Sequence, residues 1–246
     1  GNTACVVLTG DGFHPIVFDL GTGLRFWGSE IMASTHGAGG FAATALVSHL
    51  HWDHVQGLPF FTPLHDTESS LHVIGPAQQG KSLEQAVREF LCPPYFPVTL
   101  EALRGTVTFQ EATAEPIEVG AATVTAVDVP HCGPTLGFRV EVGGRSVAYV
   151  SDHQQPGCQS TVVNPGVLAL CEGVDLLIHD AQYTDAEFID RFDWGHCTTD
   201  YAVEVAVQAG VKSMALFHHD PSHDDDMVDS LAGLAALHSA KRHGPE

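Results

Sequence analysis

The apolar positions of this chain fall mostly in short runs of strand length, and helical spacing is confined to a few segments. Ala4-Cys5-Val6-Val7-Leu8-Thr9 and Pro15-Ile16-Val17-Phe18-Asp19 are β-rich runs divided by the turn residues Gly10-Asp11-Gly12. Ala45-Leu46-Val47-Ser48 predicts a buried strand, and Leu71-His72-Val73-Ile74 predicts another, ended by Gly75-Pro76. Leu83, Val87, Phe90 and Leu91 recur at helical spacing, and Pro93-Pro94 stops that helix because proline cannot continue it. Residues 106–150 predict strand after strand, with Gly143-Gly144 turning the chain into Ser146-Val147-Ala148-Tyr149-Val150. In the last third, residues 175–178 predict a buried strand, 198–209 a helix ended by Gly210, 213–217 a strand and 227–238 a final helix. Asp224-Asp225-Asp226 fits a solvated helix start, where carboxylates are favoured. Strands interleave with helices and no linker or repeat interrupts them, so a single α/β domain over residues 1–246 is expected. The start at Gly1-Asn2-Thr3 leaves room for an N-terminal strand before it.

Composition narrows the class. Of 246 residues, 44% are hydrophobic and 16% charged, which is a globular balance and not a disordered one. Thirty acidic side chains against ten basic ones give a formal charge of -20, which disfavours a large nucleic acid because phosphate contacts need Lys and Arg. No apolar run approaches the roughly 20 residues of a membrane span. The six cysteines are irregularly spaced without a C-x-x-C pair, as expected of reduced thiols in a cytoplasmic protein. The oddity is histidine: 16 His outnumber the ten Lys and Arg together. Imidazole is the commonest metal ligand, so the histidines call for an explanation by position.

The sharpest position is His49-Leu50-His51-Trp52-Asp53-His54, directly after the apolar run 45–48. Side chains alternate across an extended strand, so His49 and His51 point the same way, with Asp53 and His54 on the following turn. Three imidazoles and a carboxylate without thiolate suit zinc, manganese or iron in a site open to chemistry. Other strand ends add candidates: Pro130-His131-Cys132-Gly133, Val150-Ser151-Asp152-His153 and Leu216-Phe217-His218-His219-Asp220. Strand ends along one sheet edge are where sites assemble.

With these elements in place the sequence resembles the metallo-β-lactamase superfamily, in its ribonuclease Z and cyclic phosphodiesterase branch. The resemblance runs from Gly1 to Pro221 and includes Asp19-Leu20-Gly21-Thr22-Gly23, whose Asp19 corresponds to the residue that supports the histidine loop. It implies an αβ/βα four-layer sandwich, two mixed β-sheets flanked by helices. It also implies two divalent metal ions, zinc first with manganese or iron as alternatives. His49, His51, His131 and Asp152 would hold one ion, and Asp53, His54, Asp152 and a late histidine the other. An apolar-x-His ending favours His218 for that last place and leaves the adjacent His219 either behind the ligands or facing substrate. Ile178-His179-Asp180-Ala181 and Trp194-Gly195-His196-Cys197-Thr198 resemble the branch's paired "H-E-A" and "G-H-S-T" segments, with Asp180 in place of the usual Glu and Cys197 in place of the usual Ser. There the acid orients the histidine, which makes Asp53, Asp180 and His196 the expected catalytic residues. Dimers are common in the family, which implies a homodimer.

Two ions roughly 3.5–4 Å apart can bridge a hydroxide and stabilise the leaving oxygen of a phosphodiester. The expected activity is therefore binuclear metal-dependent hydrolysis of a small, cyclic phosphodiester. The extended basic, glycine-rich arm with which ribonuclease Z grips precursor tRNA has no counterpart in the sequence. The alternatives are tRNA 3′-end processing and hydrolysis of a lactone or thioester. The segment 81–97, with Phe90, Tyr95 and Phe96, is either a lid or plain core packing. His14, His36, His65, His72, His238 and His243 are expected to be structural or on the surface.

Overall fold

A computed structural model of the chain describes residues 1–34, 40–242 and 244–245. His36 and His243 lie outside these. The described chain divides into two compact units, Gly1–Thr113 with Val119–Ala121 and Ala114–Glu118 with Ala122–Glu246.

The first unit carries a five-stranded mixed sheet, β1 (Val6–Leu8), β2 (Ile16–Phe18), β3 (Ala42–Leu46), β4 (Ser70–Gly75) and β5 (Thr106–Glu111), hydrogen-bonded in chain order. β1 and β2 form an antiparallel pair and the other neighbours are parallel. Parallel strands need crossovers, and these carry α1 (Gly23–Ala33), the short α2 (Trp52–Val55) and α3 (Leu83–Phe90). β2 is buried at every position, as a strand covered on both faces must be. Ser82 caps α3 by accepting from the Gln85 N–H, and the Gln85 side chain returns the bond, a capping box worth about 1 kcal/mol. The core joins Val17, Leu24, Ala45, Leu58, Leu71 and Val87.

The second unit is built on a six-stranded mixed sheet in the order β11-β10-β9-β8-β7-β6. β6 (Ile117–Val119), β7 (Ala122–Asp128), β8 (Leu136–Val142) and β9 (Arg145–Val150) come first, and Gly143 and Gly144 make the β8–β9 turn. β10 (Leu176–Asp180) and β11 (Ser213–Phe217) then add in parallel. Their crossovers contain α4 (Pro165–Cys171), α5 (Asp185–Ile189) and α6 (Thr199–Ala209), and α7 (Asp225–Lys241) follows β11. α6 is capped by Thr198 and ended by Gly210 in the left-handed conformation, and its Tyr201, Ala202, Val205 and Ala206 are buried in the core. Asp224 accepts from the Met227 N–H and caps α7, so the acidic run is a helix start as the sequence predicted. The parallel run β9-β10-β11 brings Asp152, Asp180 and His218 to the same edge, each at or just beyond the C-terminal end of its strand.

Candidate metal centre

In the first unit, β3 delivers the histidine loop to the sheet's edge. His49 Nε2 and His51 Nδ1 stand 2.8 Å apart, and His54 Nε2 stands 3.3 Å from Asp53 Oδ2, so the four expected ligands arrive as two pairs of facing donor atoms. The far sides of His49 and His54 are fixed by Asp19. This carboxylate is fully buried and accepts from the Ser48 N–H at 2.7 Å, the Ser48 hydroxyl at 2.8 Å and His54 Nδ1 at 2.8 Å. A serine hydroxyl has one proton. Because Ser48 gives it to Asp19, its oxygen accepts from His49 Nδ1 at 3.0 Å. Both rings then carry Nδ1–H, and Nε2 is left as the lone pair for a cation, the arrangement that partners behind the ligands impose. Asp19 has a φ of 56°, a strained conformation for a non-glycine residue that the surrounding bonds hold in place.

In the second unit, Asp152, His196 and His218 present ligand atoms that all lie within 4.8 Å of one another. His131 Nε2 lies 3.7 Å from Asp152 Oδ2, and His218 Nε2 lies 3.7 Å from Asp152 Oδ1. Here too each ring is turned by a partner behind it. His131 Nδ1 donates to the Gly195 carbonyl at 2.7 Å, and His218 Nδ1 donates to Gln182 Oε1 at 2.8 Å. Gly195 has a φ of 96°, and a Cβ there would lie 2.4 Å from the His131 ring. Only glycine fits this close approach.

Asp180 contacts His196 directly, Oδ2 to Nδ1 at 3.0 Å, although its side chain is one methylene shorter than Glu. Its carboxylate is pinned by the His153 N–H on Oδ2 and the Gln182 N–H on Oδ1, both at 3.0 Å. His179 is fully buried on β10, donates Nδ1–H to the Asp180 carbonyl at 2.7 Å and accepts from His153 Nδ1 at 3.1 Å. Burial pushes both the His153 and His179 imidazoles below the usual range, so this pair is a neutral structural strut. Cys197 is buried, donates its thiol to the Asp180 carbonyl at 3.1 Å and is driven well above the usual thiol range by burial.

His219 lines an apolar groove between β11 and α7, with Met214, Leu216 and Ala232. It is not in the cluster of Asp152, His196 and His218, so the substrate-facing expectation meets a different surface. Residues the motif reading did not name are Ser48, Gln154, Gln155 and Gln182. The two neighbours Gln154 and Gln155 follow Asp152-His153 and clamp the His196 loop: Gln154 Oε1 accepts from the Gly195 N–H at 2.8 Å, and Gln155 Oε1 accepts from the Thr198 N–H at 3.0 Å. The segment 81–97 serves partly as packing. Phe90 and Phe96 lean on the first core, while they and the exposed Tyr95 line a cleft of about 780 Å³ with Trp52 and Phe60.

Residues 38–219 match the model of the beta-lactamase superfamily domain. The chain belongs to the metallo-β-lactamase superfamily. A ribonuclease Z of Synechococcus sp. is 27% identical over 236 residues, covering 79% of this chain and 75% of the relative. The human tRNase Z short form is 24% identical with a TM-score of 0.65, covering 89% of this chain and 86% of that one. A diphosphatase of the PhnP family is 18% identical with a TM-score of 0.64, covering 92% and 77%. These relatives put this superfamily member in the ribonuclease Z-like branch and make it a metal-dependent hydrolase with two mixed sheets flanked by helices. A ribonuclease Z among its relatives gives no support to the expectation that large nucleic acids are disfavoured. No described helix is long and apolar enough to cross a membrane.

Proposed function

We propose that this hydrolase is a phosphodiesterase acting on a small, cyclic phosphodiester, with two divalent ions held by the ligand set the family implies. His49, His51, His131 and Asp152 would hold one ion and Asp53, His54, Asp152 and His218 the other. The donor set fits such ions: it is imidazole and carboxylate without thiolate, which suits zinc, with manganese or iron as alternatives. Bound ions would supply Lewis acidity to the phosphoryl oxygens and an acidified water as nucleophile.

The observation that carries the reading is the Asp180–His196 contact at 3.0 Å. With Nδ1–H held by the carboxylate, Nε2 is the ring atom that carries the mobile proton. His196 delivers it to the leaving oxygen, and the charge of Asp180 stabilises the imidazolium before transfer. Asp53 is half-exposed beside His54 and takes the proton of the attacking water. A thiolate departs without help from an acid, so hydrolysis of a thioester would leave the Asp180–His196 pair without a task.

Electrostatics support a small substrate. Lys81, Arg88, Arg139, Arg145, Lys212 and Arg242 already pair with acidic neighbours, which leaves few cations for a phosphate backbone. The name of the Synechococcus relative favours a second reading, tRNA 3′-end processing. Metal-loaded protein should turn over bis(p-nitrophenyl) phosphate and a cyclic nucleotide, and Asp53→Ala should abolish both. Cleavage of lactones with no phosphodiester turned over would sink the proposal. Cleavage of a tRNA precursor with no cyclic nucleotide turned over would establish the second reading instead.

A further inference from the structure

The loop that delivers His196 also carries a surface that acid–base chemistry does not use. Ile189, Phe192 and Trp194 are 63%, 57% and 59% exposed. The Arg191 guanidinium lies 5.6 Å from the Trp194 ring centre and 5.5 Å from that of Tyr183. Among the described residues Arg191 forms no ion pair, in contrast to the six basic side chains that do.

The backbone under this surface is fixed. Gln154 Nε2 donates to the Phe192 carbonyl at 2.7 Å, and its Oε1 accepts from the Gly195 N–H at 2.8 Å. The Trp194 N–H donates to the Arg191 carbonyl at 3.1 Å. Large aromatic side chains held in water by a pinned loop form a recognition surface with little left to order on binding. The Asp220 carboxylate acts on Arg191 only at longer range and closes no ion pair with it, so a purely apolar partner would leave the guanidinium without a direct anionic contact. A planar aromatic ring attached to a phosphate satisfies both the ring and the cation.

We propose that Trp194 and Arg191 bind the base of a nucleotide whose phosphodiester meets His196. This rests on the phosphodiesterase reading and names its substrate class. One residue, Gly195, separates Trp194 from His196, at most roughly 7 Å between Cα atoms, the scale of one nucleoside from base to phosphate. The indole stacks on any base because every base presents a π-face. Arg191 behind the indole makes the platform positive towards the phosphate. A cyclic mononucleotide and a terminal RNA nucleotide share this chemistry.

The test uses fluorescence and turnover on the full chain. The three tryptophans are Trp27, Trp52 and Trp194. Adenosine monophosphate should quench the emission saturably in the wild type and in Trp52→Phe, and the quench should vanish in Trp194→Phe. Arg191→Ala should shift saturation to higher concentration. A quench that survives Trp194→Phe, or no saturable quench in the wild type, would overturn the proposal. In turnover, the wild type should prefer a cyclic nucleotide over a ribosyl cyclic phosphate that lacks a base. Trp194→Ala should reduce that preference roughly tenfold. An equal fall on both substrates would show a structural role and overturn the proposal. A saturable quench without turnover of any phosphodiester would sink the phosphodiesterase reading and leave the base site standing. Titration with a cyclic mononucleotide and with a short single-stranded RNA identifies the source by which saturates first.

Discussion

Asp180 holds His196 from a carboxylate that two backbone N–H groups have already fixed, with the imidazole Nδ1 3.0 Å from Oδ2. The orientation of His196 is therefore inherited from the ends of β9 and β10. Asp180→Asn keeps the shape but turns an amide N–H₂ towards a donor, which costs about 1–3 kcal/mol of stability. It also removes the charge that favours the imidazolium. The expected loss in kcat is about 10²–10⁴-fold, and His196→Ala should match it. Metal stoichiometry should stay unchanged in both variants. If His196→Ala loses metal, the residue is a ligand, as its place beside Asp152 and His218 also permits.

Asp19 organises the other donor set. Asp19→Ala would leave the Ser48 N–H, the Ser48 hydroxyl and His54 Nδ1 without their buried acceptor. At about 1–3 kcal/mol for each stranded donor, a loss of about 3 kcal/mol or more is expected in thermal or denaturant unfolding. Asp19→Asn is milder in shape but weakens the hold on His54, and metal affinity should fall roughly 10–100-fold. Competition with a chromogenic chelator measures it. Unchanged affinity in Asp19→Asn would show that Asp19 serves only the loop's fold.

How much of this was legible in the sequence depended on distance along the chain. The histidine loop could be read because its residues are contiguous and follow an apolar run that becomes β3. Asp152 and His218 could be read because each follows a parallel strand. Gln154 and Gln182 could not, because their partners lie 41 and 36 residues away and only the packed sheet defines them. The helix α1 was hidden by Gly23 and Gly28, which helical propensity disfavours. Gly28 is buried with its missing Cβ facing the Phe61 ring at 3.0 Å, so packing decided there against propensity. Asp180 shows the reverse limit. Its side chain is shorter than the usual Glu and still reaches His196, because the backbone presents the carboxylate already in position.

Gly195 and Gly173 together separate backbone strain from a steric role. Both have positive φ, 96° and 61°, but a Cβ at Gly173 meets nothing within 4 Å, whereas one at Gly195 lies 2.4 Å from the His131 ring. Gly173→Ala should cost about 1–2 kcal/mol from the left-handed conformation alone and leave metal content intact. Gly195→Ala should add displacement of His131 and of the His196 loop, with loss of metal and activity. Equal behaviour of the two variants in melting and metal content would remove the packing argument for His131.

The six cysteines give a prediction that needs neither metal nor substrate. All are free. Cys132 and Cys158 are exposed, while Cys171 and Cys197 are buried. Burial pushes the Cys5 and Cys171 thiols up to about 12, and that of Cys197 well above its usual range. The thiolate is the reactive species. At pH 8 a thiol titrating near 12 is ionised in only about one molecule in ten thousand, so these three react on the timescale of unfolding. Titration with a chromogenic disulfide should show Cys132 and Cys158 in the fast phase. Cys5, Cys171 and Cys197 should appear only when denaturant opens the two cores. Because the shifts are upward, raising the pH from 7 to 9 should leave the protected class protected. Labelling of Cys197 in the native protein, read by peptide mass, would show that the strand end bearing Asp180 opens under native conditions. The rigid placement of His196 would then have to be abandoned.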